Sequence, residues 1–262
     1  MKDIKSVKEI YKPGSTHMVG DGFPVRNVFP SHDLTEEISP FLLLDYAGPA
    51  SFPPTDRPRG VGEHPHRGFE TVTIVYQGKV AHWDSAGNVG IIGPGDVQWM
   101  TAASGVVHEE LHEQAWAKDG GTLQMIQLWV NLPKASKMGA PRYQTLLNDD
   151  IPQTHLGGNG GLVRVIAGEY EGLKGPAKTF TPVHLYDLRL QAGHKADLHL
   201  PVGFNTGLFD LSGGVVLNGS QKVEEAEMAL CDPQGTQVHL EATEKATVLV
   251  LSGEPIQEPV AR

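Results

Sequence analysis

The sequence is short of several things, and each shortage excludes something. One residue of 262 is cysteine, Cys231, so no disulfide can form within the chain and a disulfide-stapled secreted scaffold is ruled out. A reducing, cytoplasmic setting is the expectation. No apolar stretch approaches the ~20 residues of a membrane-spanning helix. The opening MKDIKSVKEIYKPG scatters charges where a secretory leader would carry an apolar segment. Positive charge is also scarce: 21 Lys and Arg against 31 Asp and Glu give a net charge of −10. With no Lys/Arg run to form a local patch, direct binding to a phosphate backbone is not expected.

What is there points to a globular, strand-rich protein. Hydrophobic content of 39% and charged content of 20% exclude a disordered chain. The length suits two domains of ordinary size. Thirty-one glycines and 19 prolines punctuate the chain at short intervals, as tight turns between short strands require. Residues 24–46 read as a strand, a loop and an apolar run ending in FLLLDY, and 47–63 read as loop. TVTIVY (71–76) is rich in β-branched residues and stops at Gln77-Gly78. Residues 79–83 form the next strand, SAGN (85–88) a hairpin turn, GPGD (93–96) a sharp turn, and VQWMT (97–101) and LQMIQLWVNL (123–132) further strands. A polar, glycine-containing stretch over 134–160 is the expected connection, giving domains at 1–140 and 141–262. A second strand-rich set follows at 162–167, 183–190, 207–211, 215–218 and 247–251.

The second half weakly repeats the first. A shift of 135 residues lays HPHRGFETVTIVYQG (64–78) on HLPVGFNTGLFDLSG (199–213), matching His64 to His199, Gly68-Phe69 to Gly203-Phe204 and Gly78 to Gly213. Two copies of one β-barrel unit are therefore expected.

Chemistry concentrates in the first copy. His64 and His66 are two apart before a strong β run, and residues i and i+2 of a strand share a face. His108 and Glu110 in VVHEEL repeat the arrangement. Two such strands facing each other across a barrel would gather three imidazoles and a carboxylate around one divalent ion and leave coordination positions open. HEELH (108–112) also fits a zinc-peptidase signature, but that chemistry needs a helix and the preceding DVQWMTAASGVV is β-rich. His112 is then expected in a loop near the barrel mouth. Phe41, Phe69, Trp99, Met100 and Trp129 are candidates to line a pocket beside the ion.

HPHRGFETVTIVYQG with GPGDVQWMTAASGVVHEE resembles the pirin family of the cupin superfamily. SPFLLLDYAGP (39–49), IAGE (166–169) and SGEPIQEPV resemble it too, so the likeness covers most of the chain. It implies an all-β protein of two cupin-type barrels (double-stranded β-helix, or jelly roll), the first holding metal and the second degenerate, since its matched positions read His199, Pro201 and Asn205. It implies His64, His66, His108 and Glu110 as ligands of one divalent ion, usually Fe(II), although Mn, Co, Ni, Cu and Zn accept such donors. Glu70, the first-motif glutamate that other cupins use as a ligand, is expected instead to hydrogen-bond a ligand histidine. Pirins usually continue beyond the position of Arg262 with a further segment that packs back onto the fold. The implied activity is a quercetin 2,3-dioxygenase-like oxidoreductase, opening a flavonol or related small aromatic substrate with dioxygen and releasing carbon monoxide. Glu110 would be the catalytic base. The alternative is a non-enzymatic, iron-dependent redox sensor that binds a protein partner, either a transcription factor or a metabolic enzyme.

Overall fold

Short apolar runs between glycine and proline turns fold as strands, and a computed structural model, which describes residues 3–29 and 36–260, is nearly all β. Its one α-helix, Gln114–Asp119, is capped by the Glu113 carboxylate, which accepts from the backbone N–H groups of Ala115 and Trp116. Among the described residues no helix is long and apolar enough to cross a membrane.

The strands form two units. One comprises Gly14–Pro30, Phe41–Asp150 and Glu258–Arg262; the other comprises Met1–Pro13, Ser31–Pro40 and Ile151–Gln257. The boundary expected at 140/141 is thereby corrected. Arg142–Leu146 pairs with Val97–Thr101, so the metal-motif unit runs on past residue 141. Val7–Tyr11 pairs with Met228–Cys231, so the N-terminal segment belongs with the second unit. The loop expected over 47–63 also shrinks, because Phe41–Phe52 continues as one strand and the next begins at Gly60. Part of the loop expected within 24–46 lies outside the described residues.

In the first unit a seven-stranded sheet runs Arg142–Leu146, Val97–Thr101, Phe69–Gln77, Gly121–Asn131, Phe41–Phe52, Phe23–Phe29, His17–Val19. A four-stranded sheet runs Gly60–His66, Val106–His112, Val80–Asp84, Val89–Ile92. The second unit repeats this order. Its long sheet runs Val7–Tyr11, Met228–Cys231, Asn205–Ser212, Ala246–Gly253, Val183–Leu190, Gly161–Ala167, Gln153–Leu156. Its short sheet runs Lys195–His199, Gln237–Ala242, Val215–Leu217, Gln221–Val223. All pairings within these four sheets are antiparallel. The duplication seen in the sequence is thus a duplication of topology.

Turn chemistry holds the strands in register. Between Val80–Asp84 and Val89–Ile92, the Asp84 carboxylate accepts from the N–H groups of Ala86 and Asn88, and Gly87 takes φ 89°. In GPGD, Gly95 takes φ 89° while Asp96 accepts from the Gly93 N–H. One end of the first barrel is filled by Phe23, Val25, Ala47, Val75, Val80, Ile92, Leu123 and Met125. The polar residues of the metal motifs lie beyond this apolar plug.

Candidate metal centre

Strand pairing brings the two motifs together. Gly60–His66 and Val106–His112 are antiparallel neighbours, with His108 paired to His64 and Val106 to His66. They are adjacent strands of one sheet rather than strands facing across the barrel, which corrects the expected geometry. The ligating atoms of His64, His66 and His108 lie within 4.8 Å of one another. Their ring centroids are 4.3 to 4.8 Å apart. A register shift between His108 and Glu110 marks a β-bulge at the second motif, a common device for re-aiming side chains at a site.

Two of the histidines, His66 and His108, are held neutral, and His64 is aimed by a hydrogen bond. Burial, then the neighbouring His108 and His64, push His66 down to about 3. Burial, then His64 and His82, do the same to His108, also to about 3. The Nδ1 of His64 is 2.9 Å from the Gly62 carbonyl, so that nitrogen carries the proton and Nε2 is left for a ligand. Nε2 of His108 is buried with no hydrogen-bond partner, although buried polar atoms normally have one. An orphaned imidazole nitrogen beside two other imidazoles is what a divalent metal would satisfy, so the donor set fits such an ion.

Glu110 enters a second cluster within the same 4.8 Å limit, with His108 and His82. Its Oε1 is 2.9 Å from the Thr73 hydroxyl and 3.3 Å from Gln98 Nε2. Thr73 in turn is 2.7 Å from the Gln127 amide, and the Tyr143 hydroxyl donates to Gln98 Oε1 at 3.2 Å. His82 is stacked on Tyr143, with centroids 4.8 Å apart and planes at 25°. Sequence reading missed this polar layer. The signal was present: His82-Trp83-Asp84 has the same i, i+2 spacing as His64-Pro65-His66.

The two-residue strand period sorts the remaining candidates. Thr73, Gln98 and Gln127 face the centre, so Phe69, Met100 and Trp129 share that face. Phe69 and Trp129 stack at 4.5 Å, and His66 touches each at 5.2 Å. Met100 packs with Ala102, Val106 and Tyr143. Trp99 and Glu70 fall on the opposite face, as does Phe41, which pairs with Val130. These three do not line the centre, which corrects the pocket expected around Phe41 and Trp99. Glu70 does not support a ligand histidine either. It accepts a 2.6 Å bond from the Thr101 hydroxyl and lies 3.6 Å from Arg142. Burial raises its pKa, with Thr101 and Arg142 among the partners that offset part of the rise.

The peptidase geometry is absent, since His108–His112 is strand. His112 is not a loop residue: it is 1% exposed, bonds the Gly22 carbonyl at 2.9 Å and sits among Phe23, Phe52 and Trp116. In the second barrel His199 is exposed and bonded to Gln237.

Comparison with known proteins agrees with this geometry. Residues 22–130 match the Pirin family and residues 185–262 match the Pirin C-terminal cupin domain. A Pseudomonas aeruginosa protein named "Putative quercetin 2,3-dioxygenase" is 54% identical over 257 residues, covering 98% of this chain and 90% of that one. The chain belongs to the pirin family. Human pirin is 36% identical over 247 residues, covering 92% of this chain and 80% of its own. The crystal structure of quercetin 2,3-dioxygenase from Acinetobacter baumannii superposes with a TM-score of 0.96 at 48% identity, covering 99% of this chain and 90% of that one.

Proposed function

We propose that this pirin is a metal-dependent dioxygenase of the quercetin 2,3-dioxygenase type, cleaving a flavonol or a related small aromatic substrate. The observation that carries the reading is the cluster of three histidines, one with an orphaned Nε2, beside a buried carboxylate and an aromatic wall. His64, His66, His108 and Glu110 would hold one divalent ion, with Fe(II) the working metal. When bound, the ion supplies Lewis acidity toward the substrate's 3-hydroxyl and redox contact with dioxygen.

The chain's own residues supply the rest. Both hydrogen bonds to Glu110 fall on Oε1, which leaves Oε2 to meet the ion or take the 3-hydroxyl proton as a general base. Thr73 and Gln98 fix the carboxylate's orientation. Phe69 and Trp129 offer flat surfaces against which a fused aromatic ring can lie, and with Met100 they keep water from the reacting edge. The two atoms of one dioxygen bond to the ring carbons on either side of the hydroxyl-bearing carbon, the two carbon–carbon bonds to that carbon break, and it leaves with its own oxygen as carbon monoxide. The unpaired, buried Cys231 suits a reducing cytoplasm.

The test is oxygen uptake by anaerobically Fe(II)-loaded protein given quercetin, with His64→Ala as control. Metal-dependent uptake that the mutant loses is the expected result. No uptake with iron confirmed bound would overturn the enzymatic reading in favour of a redox-sensing regulator with a protein partner.

A further inference from the structure

Behind the three histidines lies a buried pair that the reaction above does not use. His82 is 2% exposed and Asp84 1%. Nε2 of His82 is 3.3 Å from Asp84 Oδ2, and Nδ1 of His82 is 3.4 Å from Nδ1 of His108 and 3.1 Å from Gln98 Nε2. Asp84 is locked as an acceptor. Its Oδ1 takes the N–H groups of Ala86 and Asn88, and both its oxygens take the Asn88 side-chain amide at 3.0 and 2.9 Å. These bonds fix where each proton sits. A carboxylate can only accept, so His82 carries its proton on Nε2 and presents at Nδ1 a lone pair that the Gln98 amide and His108 Nδ1 share. A neutral His108 that gives Nε2 to a metal must carry its proton on Nδ1, which is the atom facing that lone pair.

We infer that Asp84 and His82 form a carboxylate–imidazole relay that holds His108 in the tautomer and ring orientation presenting Nε2 to the metal, making His82 and Asp84 positioning residues for the centre. The inference rests on the metal-centre reading above. A hydrogen bond from the non-ligating nitrogen of a metal-bound histidine generally orients the ring and raises its basicity, and losing such a partner weakens metal affinity about 10- to 100-fold. Here the partner is a second imidazole, with the carboxylate one step further out. Tyr143 clamps the relay from the side by stacking on His82.

The experiment measures Ni(II) affinity of the metal-free protein by calorimetry and the visible spectrum of the Co(II)-substituted protein. His82→Phe keeps the stack on Tyr143 and removes the acceptor. It should weaken Ni(II) binding at least about tenfold and shift the Co(II) spectrum, with the melting temperature of the metal-free protein little changed. His82→Gln, whose amide oxygen can accept from His108, should recover most of the affinity. If His82→Phe fails to fold, Asp84→Asn gives the same readout through the outer member. Unchanged affinity and spectrum in a folded variant would overturn the relay. So would two ions per chain in the wild type, since His82 would then be a ligand with His108 and Glu110. Wild-type protein that binds no metal would overturn the metal-centre reading itself, a different result from either.

Discussion

The Phe69–Gln77 strand and the Asn205–Ser212 strand occupy the same place in sheets of the same order, yet their inward faces differ. The first sends Thr73 to Glu110. The second sends Leu208 into an apolar cluster with Leu198, Leu217, Val238 and Leu240. In the short sheets, His108 and Glu110 alternate inward along one strand, while Val238, Leu240 and Ala242 alternate inward along its counterpart. One backbone plan therefore supports two interiors. A few inward positions on the strands decide whether a barrel is a reactive centre or a packed core, and fold alone does not.

The largest effect should come from breaking the polar interior. His108→Ala removes the imidazole that belongs to both histidine clusters. Metal analysis after dialysis should find the variant empty where wild type retains one ion per chain, and dioxygenase turnover should fall by at least a thousandfold, as when an essential catalytic group is lost. A variant that still holds stoichiometric metal would mean that His108 is not a ligand and that the orphaned Nε2 has another cause.

Breaking the apolar interior should do the opposite. Leu240 is 1% exposed, so Leu240→Ala leaves a cavity and should cost about 2–5 kcal/mol in denaturant unfolding. Metal affinity should not change. Loss of metal from folded Leu240→Ala protein would show that the second barrel is more than a packed core.

One position in the second barrel places a buried carboxyl, Asp210, on an almost fully buried strand. Burial pushes Asp210 up to about 7, although the backbone N–H groups of Ser212 and Gly214 draw it down in part. Its ordinary value is 3.8, so the folded state holds the proton more tightly than the unfolded chain. The group is neutral in both states below about pH 4 and costs nothing there. As pH rises from about 4 to 7 the unfolded chain ionises first and stability falls. Asp210→Asn removes this penalty. It should stabilise the protein by about 1–3 kcal/mol at pH 8 and leave stability at pH 4 unchanged, read as the difference in melting between variant and wild type. An equal gain at both pH values would mean that packing, not ionisation, is responsible.

The contrast between the barrels was partly legible before any coordinates. His64-Pro65-His66 and His108-Glu109-Glu110 announce themselves because strand period converts i, i+2 spacing into a shared direction. The repeat at 135 residues placed the second barrel's strands. Parity was the point of failure. Trp99 is one residue from Gln98 and Glu70 one from Phe69, and that single step puts each on the far face from the centre. Nor can local pattern show that Val7 pairs with Cys231 or that Arg142 pairs with Thr101, because these edge strands cross the apparent boundary. His82 was readable by the same rule as His64, but the rule was not applied to a hairpin strand outside the two motifs.

The smallest predicted effect is the most direct check on this reading of parity. In the linear repeat, His199 stands where His64 stands, and a sequence-only view would credit it as a relic of a second metal centre. In the structure Ala196 and Leu198 point inward along that strand while Lys195, Asp197 and His199 point out. The His199 ring bonds Gln237 at 3.3 Å in an exposed position. An exposed contact of this kind contributes little, so His199→Ala should change stability by no more than about 0.5 kcal/mol and leave metal stoichiometry untouched. A measurable loss of bound metal would mean that the two histidines are equivalent after all, and the distinction between a polar and an apolar barrel would have to be redrawn around His199.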